Sequence, residues 1–338
     1  MRTLITSHRL GARVYQVAIY VGLIGLAVKT KAKFRSYRLG KSQARSSSAE
    51  FSESRPKSTD VRAYSSNETG QVLPLSWWYN GVTPNFGDWL SPFIVSRLHA
   101  GPVSWVNPAS NKPNYHLVGL GSIGHFTQST SVVVGTGVLN LRSPISSTAH
   151  FLSVRGPISS TILEQLGGPK VNRFGDPAVI LPKLLSLETV SVGGKVAVVR
   201  HLSESMIPLT LPEDWEELSI AVSGELDLVD LIMRLRSYKY VVTSALHILI
   251  ACQSFGIPCA VVRFSGDKGK VRRDEMKFLD YADGVGVRQV IPQFVSSALP
   301  QSHIASMVTN EQIPDSSVER VHEALLEGID VTLRRLRR

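Results

Sequence analysis

Cysteine is nearly absent, with only Cys252 and Cys259 in 338 residues. The two lie in an apolar stretch far from any other thiol, which excludes a disulfide framework and a CxxC-type zinc site. A long hydrophobic run is lacking too. The best stretch, residues 14–28, has 15 residues broken only by Gln16, short of the ~18 of a confident membrane span. Acidic residues are missing from two places. Residues 1–49 hold ten of the 37 basic residues and no Asp or Glu, which leaves 27 basic against 27 acidic residues in a neutral remainder. The net charge of +10 therefore belongs to a tail, and a basic body that binds nucleic acid is excluded as the reading. What is present is 43% hydrophobic and 19% charged residues, a folded composition over most of the length.

Three readings of residues 14–28 stay open. One is a short anchor or interfacial helix with Tyr15, Ile19, Leu23 and Leu26 toward lipid, the second an Arg- and Ser-rich transit peptide, and the third a secretory signal, for which Gly25-Leu26-Ala27 followed by Lys29 is a poor cleavage site. If the segment spans, six cations after it against three before it keep the body cytoplasmic by the positive-inside rule. The expected organisation is a basic tail with a short apolar segment (1–41), a Ser-rich linker (42–72), an N-terminal Rossmann-like domain (73–187), a C-terminal Rossmann-like domain (188–292) and a C-terminal extension with an amphipathic helix (293–338).

From about residue 73 the chain alternates β-branched runs with helical patterns. Strands are predicted at 115–120, 131–135, 195–200, 239–244 and 258–263, with a crossover helix at 246–255 closed by Gly256 and Pro258. The pattern repeats on both sides of a break at 187–194, so the expectation is two α/β domains facing across a cleft, with functional groups at strand carboxyl ends. The last helix is expected to open with a capping box, Ser316 and Glu319, and to bury Val318, Val321, Leu325, Ile329 and Leu333.

Gly119-Leu120-Gly121-Ser122-Ile123-Gly124 fits a dinucleotide fingerprint, but that use needs an acid about 20 residues on. No Asp or Glu occurs between residues 89 and 163. The turn is left as a tight bend whose NH groups can meet an anion. The same carboxylate-free stretch contains Arg97, Lys112, Arg142, Arg155 and four histidines, a composition suited to an anionic substrate or simply to a buried sheet. In Asn85-Phe86-Gly87-Asp88, Asp88 is placed to cap the next helix and to touch a substrate hydroxyl. Arg155 stands just before a helix starting at Pro157, positioned to grip a carboxylate or phosphate. Asp176, in Gly175-Asp176-Pro177, is given a structural role. His247 falls in the first turn of the 246–255 helix, where the dipole disfavours the imidazolium and a proton is readily given up. No metal-ligand spacing occurs.

Taken in order, these motifs resemble the polysaccharide pyruvyl transferase family, most closely its ketal-forming members of exopolysaccharide synthesis. The matching residues are Asn85-Phe86-Gly87-Asp88 with Pro92, Gly119-x-Gly121-Ser122-Ile123, Val134-Gly135-Thr136-Gly137, Ser153-Val154-Arg155-Gly156-Pro157, Gly175-Asp176-Pro177-Ala178, Thr243-Ser244-Ala245-Leu246-His247 with Gly256-Ile257-Pro258, and Lys277-Phe278-x-Asp280-Tyr281. The resemblance spans about residues 75–292. It implies a GT-B-like fold and transfer of enolpyruvate from phosphoenolpyruvate, with no cofactor, to two hydroxyls of a glycan or lipid-linked oligosaccharide; the basic, apolar tail adds the expectation of contact with a membrane surface. It further implies His247 as acid and Asp88 as base, with Arg155, Asn85, Gly87, Gly121, Ser122 and Ser244 at the substrates. The family's Arg before Leu-His is replaced by Ala245, and Ile248 stands where Gly is common, so donor binding is expected to lean on Arg155, with Arg200, Arg263 and Lys268 as further candidates. Two other functions compete: a sugar-nucleotide glycosyltransferase on the same architecture, and a membrane-tethered glycan-binding protein without catalysis.

Overall fold

The computed structural model describes residues 63–64, 70–79, 85–111, 113–140, 143–264, 275–296 and 300–337. The apolar 14–28 segment and most of the 42–72 linker lie outside these residues, as do Lys112, Arg142 and Lys268. The described residues all belong to one compact unit, 58–338, which contains two sheets.

The first sheet comprises β1 (Ala63–Tyr64), β2 (Leu73–Ser76), β3 (Val103–Val106), β4 (His116–Val118), β5 (Ser131–Val133) and β6 (His150–Phe151) in the order β1-β3-β2-β4-β5-β6. Every pairing is parallel except β1 with β3. The second has β7 (Val196–Val199), β8 (Trp215–Glu217), β9 (Tyr240–Thr243), β10 (Cys259–Phe264) and β11 (Gln293–Val295), ordered β11-β10-β9-β7-β8 and parallel throughout. Residues of β4, β5, β7, β9 and β10 are buried along their whole length. A parallel sheet covered on both faces demands such unbroken apolar runs, which is why they were readable in the sequence.

With β1 set aside, each sheet has the doubly wound order 2-1-3-4-5, so each reverses direction once, between β2 and β4 in the first and between β7 and β9 in the second. The molecule is thus α/β with two Rossmann-like subdomains. One hydrophobic core runs through both, from Leu75 and Val132 to Val199 and Val241.

The helices are α1 (Phe86–His99), α2 (Pro157–Gln165), α3 (Leu181–Leu184), α4 (Glu225–Arg236), α5 (Leu246–Ser254), α6 (Glu275–Val285), α7 (Gln301–Ser306) and α8 (Asp315–Leu336). Helix α5 is the expected crossover, and Gly256 (φ 66°) turns the chain out of it toward β10. Helix α8 returns to the first subdomain, packing on α1, β2, β4 and β5 with Val321, Leu325 and Ile329 buried. Its expected capping box is not formed. The helix begins at Asp315 after Pro314, no side chain caps it, and Glu319 instead pairs with Lys183 at 2.6 Å. A two-residue earlier start moves Ser316 inside the helix, where its hydroxyl has no cap to make.

Candidate functional site

The residues that follow the switch-point strands come together around a cavity of about 450 Å³. Trp77 and Trp78 come after β2, Gly121, Ser122, His125 and Phe126 after β4, His201 and Leu202 after β7, and Ala245, Leu246 and His247 after β9. Asn85, Gly87 and Asp88 at the start of α1 and Lys277 in α6 complete the polar wall. A doubly wound sheet splays its loops apart at its switch point, and here both switch points open on the same space.

The start of α1 is held by Phe86 N, which donates to Ile220 O at 2.9 Å. Asn85, not Asp88, is the cap: its Oδ1 accepts from Asp88 N at 3.2 Å. Asp88 lies one turn in, where its carboxylate accepts a hydrogen bond from Asn85 Nδ2. Burial pushes the Asp88 carboxyl up to about 7, the Asn85 bond opposing the rise. A carboxyl so tuned exchanges a proton near neutrality.

His247 sits in the first turn of α5 and lies against Gly87, where a Cβ would fall 2.2 Å from Nδ1 of the ring. Only glycine admits the imidazole this close to α1. The opposite ring nitrogen, Nε2, is 3.7 Å from Oδ2 of Asp176, a carboxylate with no exposed surface. Beside them, Gly121 takes φ 111°, a conformation suited to glycine, and its carbonyl accepts from Thr136 Oγ1 at 2.8 Å, which pins the turn that presents Ser122.

Arg155 is placed differently from expectation. It is fully buried and outside the cavity wall. Its Nε pairs with Asp280 Oδ2 at 3.1 Å, Nη2 donates to Val138 O at 3.2 Å, and Nη1 donates to Ser122 Oγ at 2.8 Å. Asp280 also accepts from Ser159 N and Oγ at 3.0 and 2.6 Å. No acid was near Arg155 in sequence, yet α6 delivers one, because a guanidinium buried without a counter-charge is prohibitively costly. Arg155 thus stands one layer behind Ser122. Arg200 is likewise committed: Nε and Nη2 grip Glu217 at 2.7 and 3.0 Å, and the remaining donors reach the carbonyls of Glu204, Ser205 and Ile207. Ser244 is buried, its Oγ accepting from His201 N at 2.9 Å, and so supports His201 from behind. Arg263 is also behind the wall, donating from Nη1 to Glu204 Oε1 at 3.3 Å and Ser244 O at 3.4 Å.

Several wall residues carried no role in the sequence reading. Trp78 is 43% exposed and stacks on Phe126 at 5.6 Å between centroids and 14° between planes, with the His125 ring 4.0 Å from Phe126. Lys277 brings a cation to the wall, its Nζ 5.6 Å from the Phe278 ring. The sequence signals were there, as the Trp77-Trp78 pair is conspicuous and Lys277 lies in a recognised motif, but neither spacing reveals which side faces a cavity. Among the described residues no three His, Cys, Asp or Glu side chains converge as a metal site would require.

Residues 120–266 match the family model for polysaccharide pyruvyl transferase. That stretch runs from the Gly121 turn through Arg155, Asp176 and His247 to the end of β10, so the match falls on the family that the motifs resemble, one of transferases acting on polysaccharide. Uncharacterized protein L143 of Acanthamoeba polyphaga mimivirus is 26% identical over 209 residues, 61% of this chain and 72% of the viral protein. The solved structure of a functional uncharacterized protein, KP1_0663 from Klebsiella pneumoniae subsp. pneumoniae NTUH-K2044, aligns at 17% identity over 66% of this chain and 92% of its own, with a TM-score of 0.39.

Proposed function

We propose that this chain transfers the enolpyruvyl group of phosphoenolpyruvate to two hydroxyls of one sugar residue in an exopolysaccharide or its lipid-linked precursor, forming a cyclic pyruvate ketal on a GT-B-like scaffold. The observation that carries the reading is the convergence of His247 and Asp88 on one cavity, in contact through Gly87, within a pyruvyl transferase domain. In this scheme imidazolium His247 protonates the methylene carbon of phosphoenolpyruvate as the first sugar hydroxyl bonds to C2, and Asp88 takes that hydroxyl's proton. The second hydroxyl then bonds to C2 as the C2–O bond to phosphate breaks, and gives its proton to His247. Phosphate leaves with the proton from Asp88, so both side chains return to their starting states.

The donor's carboxylate and phosphate call for cations and NH groups rather than acids. Arg155 and Arg200 lie outside the cavity wall, whereas Lys277, His201, Ser122 and the start of α5 beside Ala245 line it and can meet these anionic groups. The stacked Trp78–Phe126 pair suits the acceptor, since a pyranose presents an apolar face of C–H groups to an aromatic ring while its hydroxyls reach Asp88 and Asn85.

Purified protein given phosphoenolpyruvate and a glycan acceptor should release phosphate and yield a product with the methyl signal of a pyruvate ketal. His247→Gln should retain donor binding and lose about 10²- to 10⁴-fold in kcat, because an amide delivers no proton. Consumption of a sugar nucleotide instead would make the chain a glycosyltransferase, and consumption of neither donor would make it a glycan-binding protein.

A further inference from the structure

Asp176 opens the 3-10 turn Pro177–Ile180, and only one of its oxygens is used there: Oδ1 accepts from Ala178 N at 3.0 Å. The other, Oδ2, is buried without a hydrogen-bond partner, and so is Nε2 of His247, 3.7 Å away. Two orphaned, complementary atoms thus face each other at an ion-pair distance, and a small rotation of the ring makes the bond. The far edge of the ring, Nδ1, borders Gly87 and the cavity that both residues line.

We propose that Asp176 and His247 form a carboxylate–imidazole pair in which Asp176 is the positioning residue: it holds the proton on Nε2, fixes the ring plane and presents Nδ1 to the cavity as the atom that donates and accepts protons. This assignment rests on the reading of His247 as the acid, and it adds the partner and the working nitrogen.

Other charged and titratable groups also bear on the ring. Asp88 of α1, Lys277 of α6 and His201 after β7 line the same cavity. Tyr281 of α6 lies near Asp176; burial, and after it the Asp176 charge, push its hydroxyl well up, and it donates to Gln253 Oε1 at 2.7 Å, so it stays neutral. The N-terminus of α5 and Lys277 bring positive charge to this region, and Asp176 and Asp88 bring carboxyl groups. Asp176 is the one with no exposed surface, where screening is least.

The test uses the full-length protein labelled at histidine, with the His247 signals assigned by their loss in His247→Gln. In the wild type, nitrogen shifts at high pH should show the neutral ring carrying its proton on Nε2. In Asp176→Asn, whose side-chain oxygen still accepts from Ala178 N and so keeps the cap, the His247 midpoint should fall by about 1 pH unit or more, and the alkaline limb of kcat should move down with it. An Nδ1-protonated neutral ring in the wild type, or an unchanged His247 midpoint in a folded Asp176→Asn, overturns the pair. The wild-type tautomer decides the matter alone if the variant does not fold. A shifted midpoint in a protein that consumes no phosphoenolpyruvate upholds the pair and overturns the enzymatic reading instead.

Discussion

At the scale of single residues, burial sorts the candidates into those that touch the cavity and those that build it. Asp88 is in the first group, and its carboxyl is raised to about 7 by burial. If ionised Asp88 is the base, kcat/KM should climb as pH rises through about 7, and Asp88→Asn should abolish that limb and lower the rate by about 10²- to 10⁴-fold, measured by initial rates across pH. The stability effect has the opposite sense. The folded protein holds this proton more tightly than the unfolded chain, whose carboxyl titrates near 4, so ionisation of Asp88 weakens the fold as pH rises from about 4 to about 7. Trp78 is also in the first group, and Trp78→Ala should raise the acceptor KM about tenfold, the loss of one aromatic contact, with the donor KM unchanged. A donor-specific defect would place the pyranose elsewhere. Arg155 is in the second group. Arg155→Met strands Asp280 in the core and should cost about 3–5 kcal/mol in urea unfolding, an effect the sequence did not foretell because Asp280 is 125 residues away.

At the scale of elements, strands and crossover helices were legible because their signals are local. The unbroken β-branched runs at β7, β9 and β10 and the Ala- and Leu-rich α5 between the last two appear within one or two residues of their expected ends. Caps were less legible. Asn85 rather than Asp88 closes α1, and Pro314 rather than Ser316 precedes α8, since a cap is decided by which side chain the preceding turn aims at the free NH groups. The stripe on α8 held at Val321, Leu325 and Ile329, with Val318 and Leu333 only partly buried, but was silent about its partner. That helix covers the first sheet, so Leu325→Ala, at a site with no exposed surface, should destabilise the whole unit by about 2–5 kcal/mol in thermal or urea unfolding. An effect below about 1 kcal/mol would mean that α8 is peripheral to the fold.

At the scale of the whole molecule, the excess positive charge is confined to residues 1–49, and both sheets and the core they share are built from residue 63 onward. Residues 63–338 should therefore fold without the tail. The full chain should sediment with anionic vesicles and the truncated one should not, because the basic and apolar tail supplies both terms of membrane attraction; equal partition of the two forms would remove the anchor reading. Two sheets of parallel strands, a helix beginning beside His247, a Gly-rich turn before Ser122 and the resemblance to the family could all be had from the sequence alone. Each depends on hydrophobic period, backbone geometry or motif order, which act over a few residues at a time. Only the tertiary structure decided which charges meet. Asp280 neutralises Arg155, Glu217 takes Arg200, and Asp176 comes to lie behind His247, because a buried charge selects its partner by proximity in the folded core, and the sheet order that creates that proximity is a property of the whole chain.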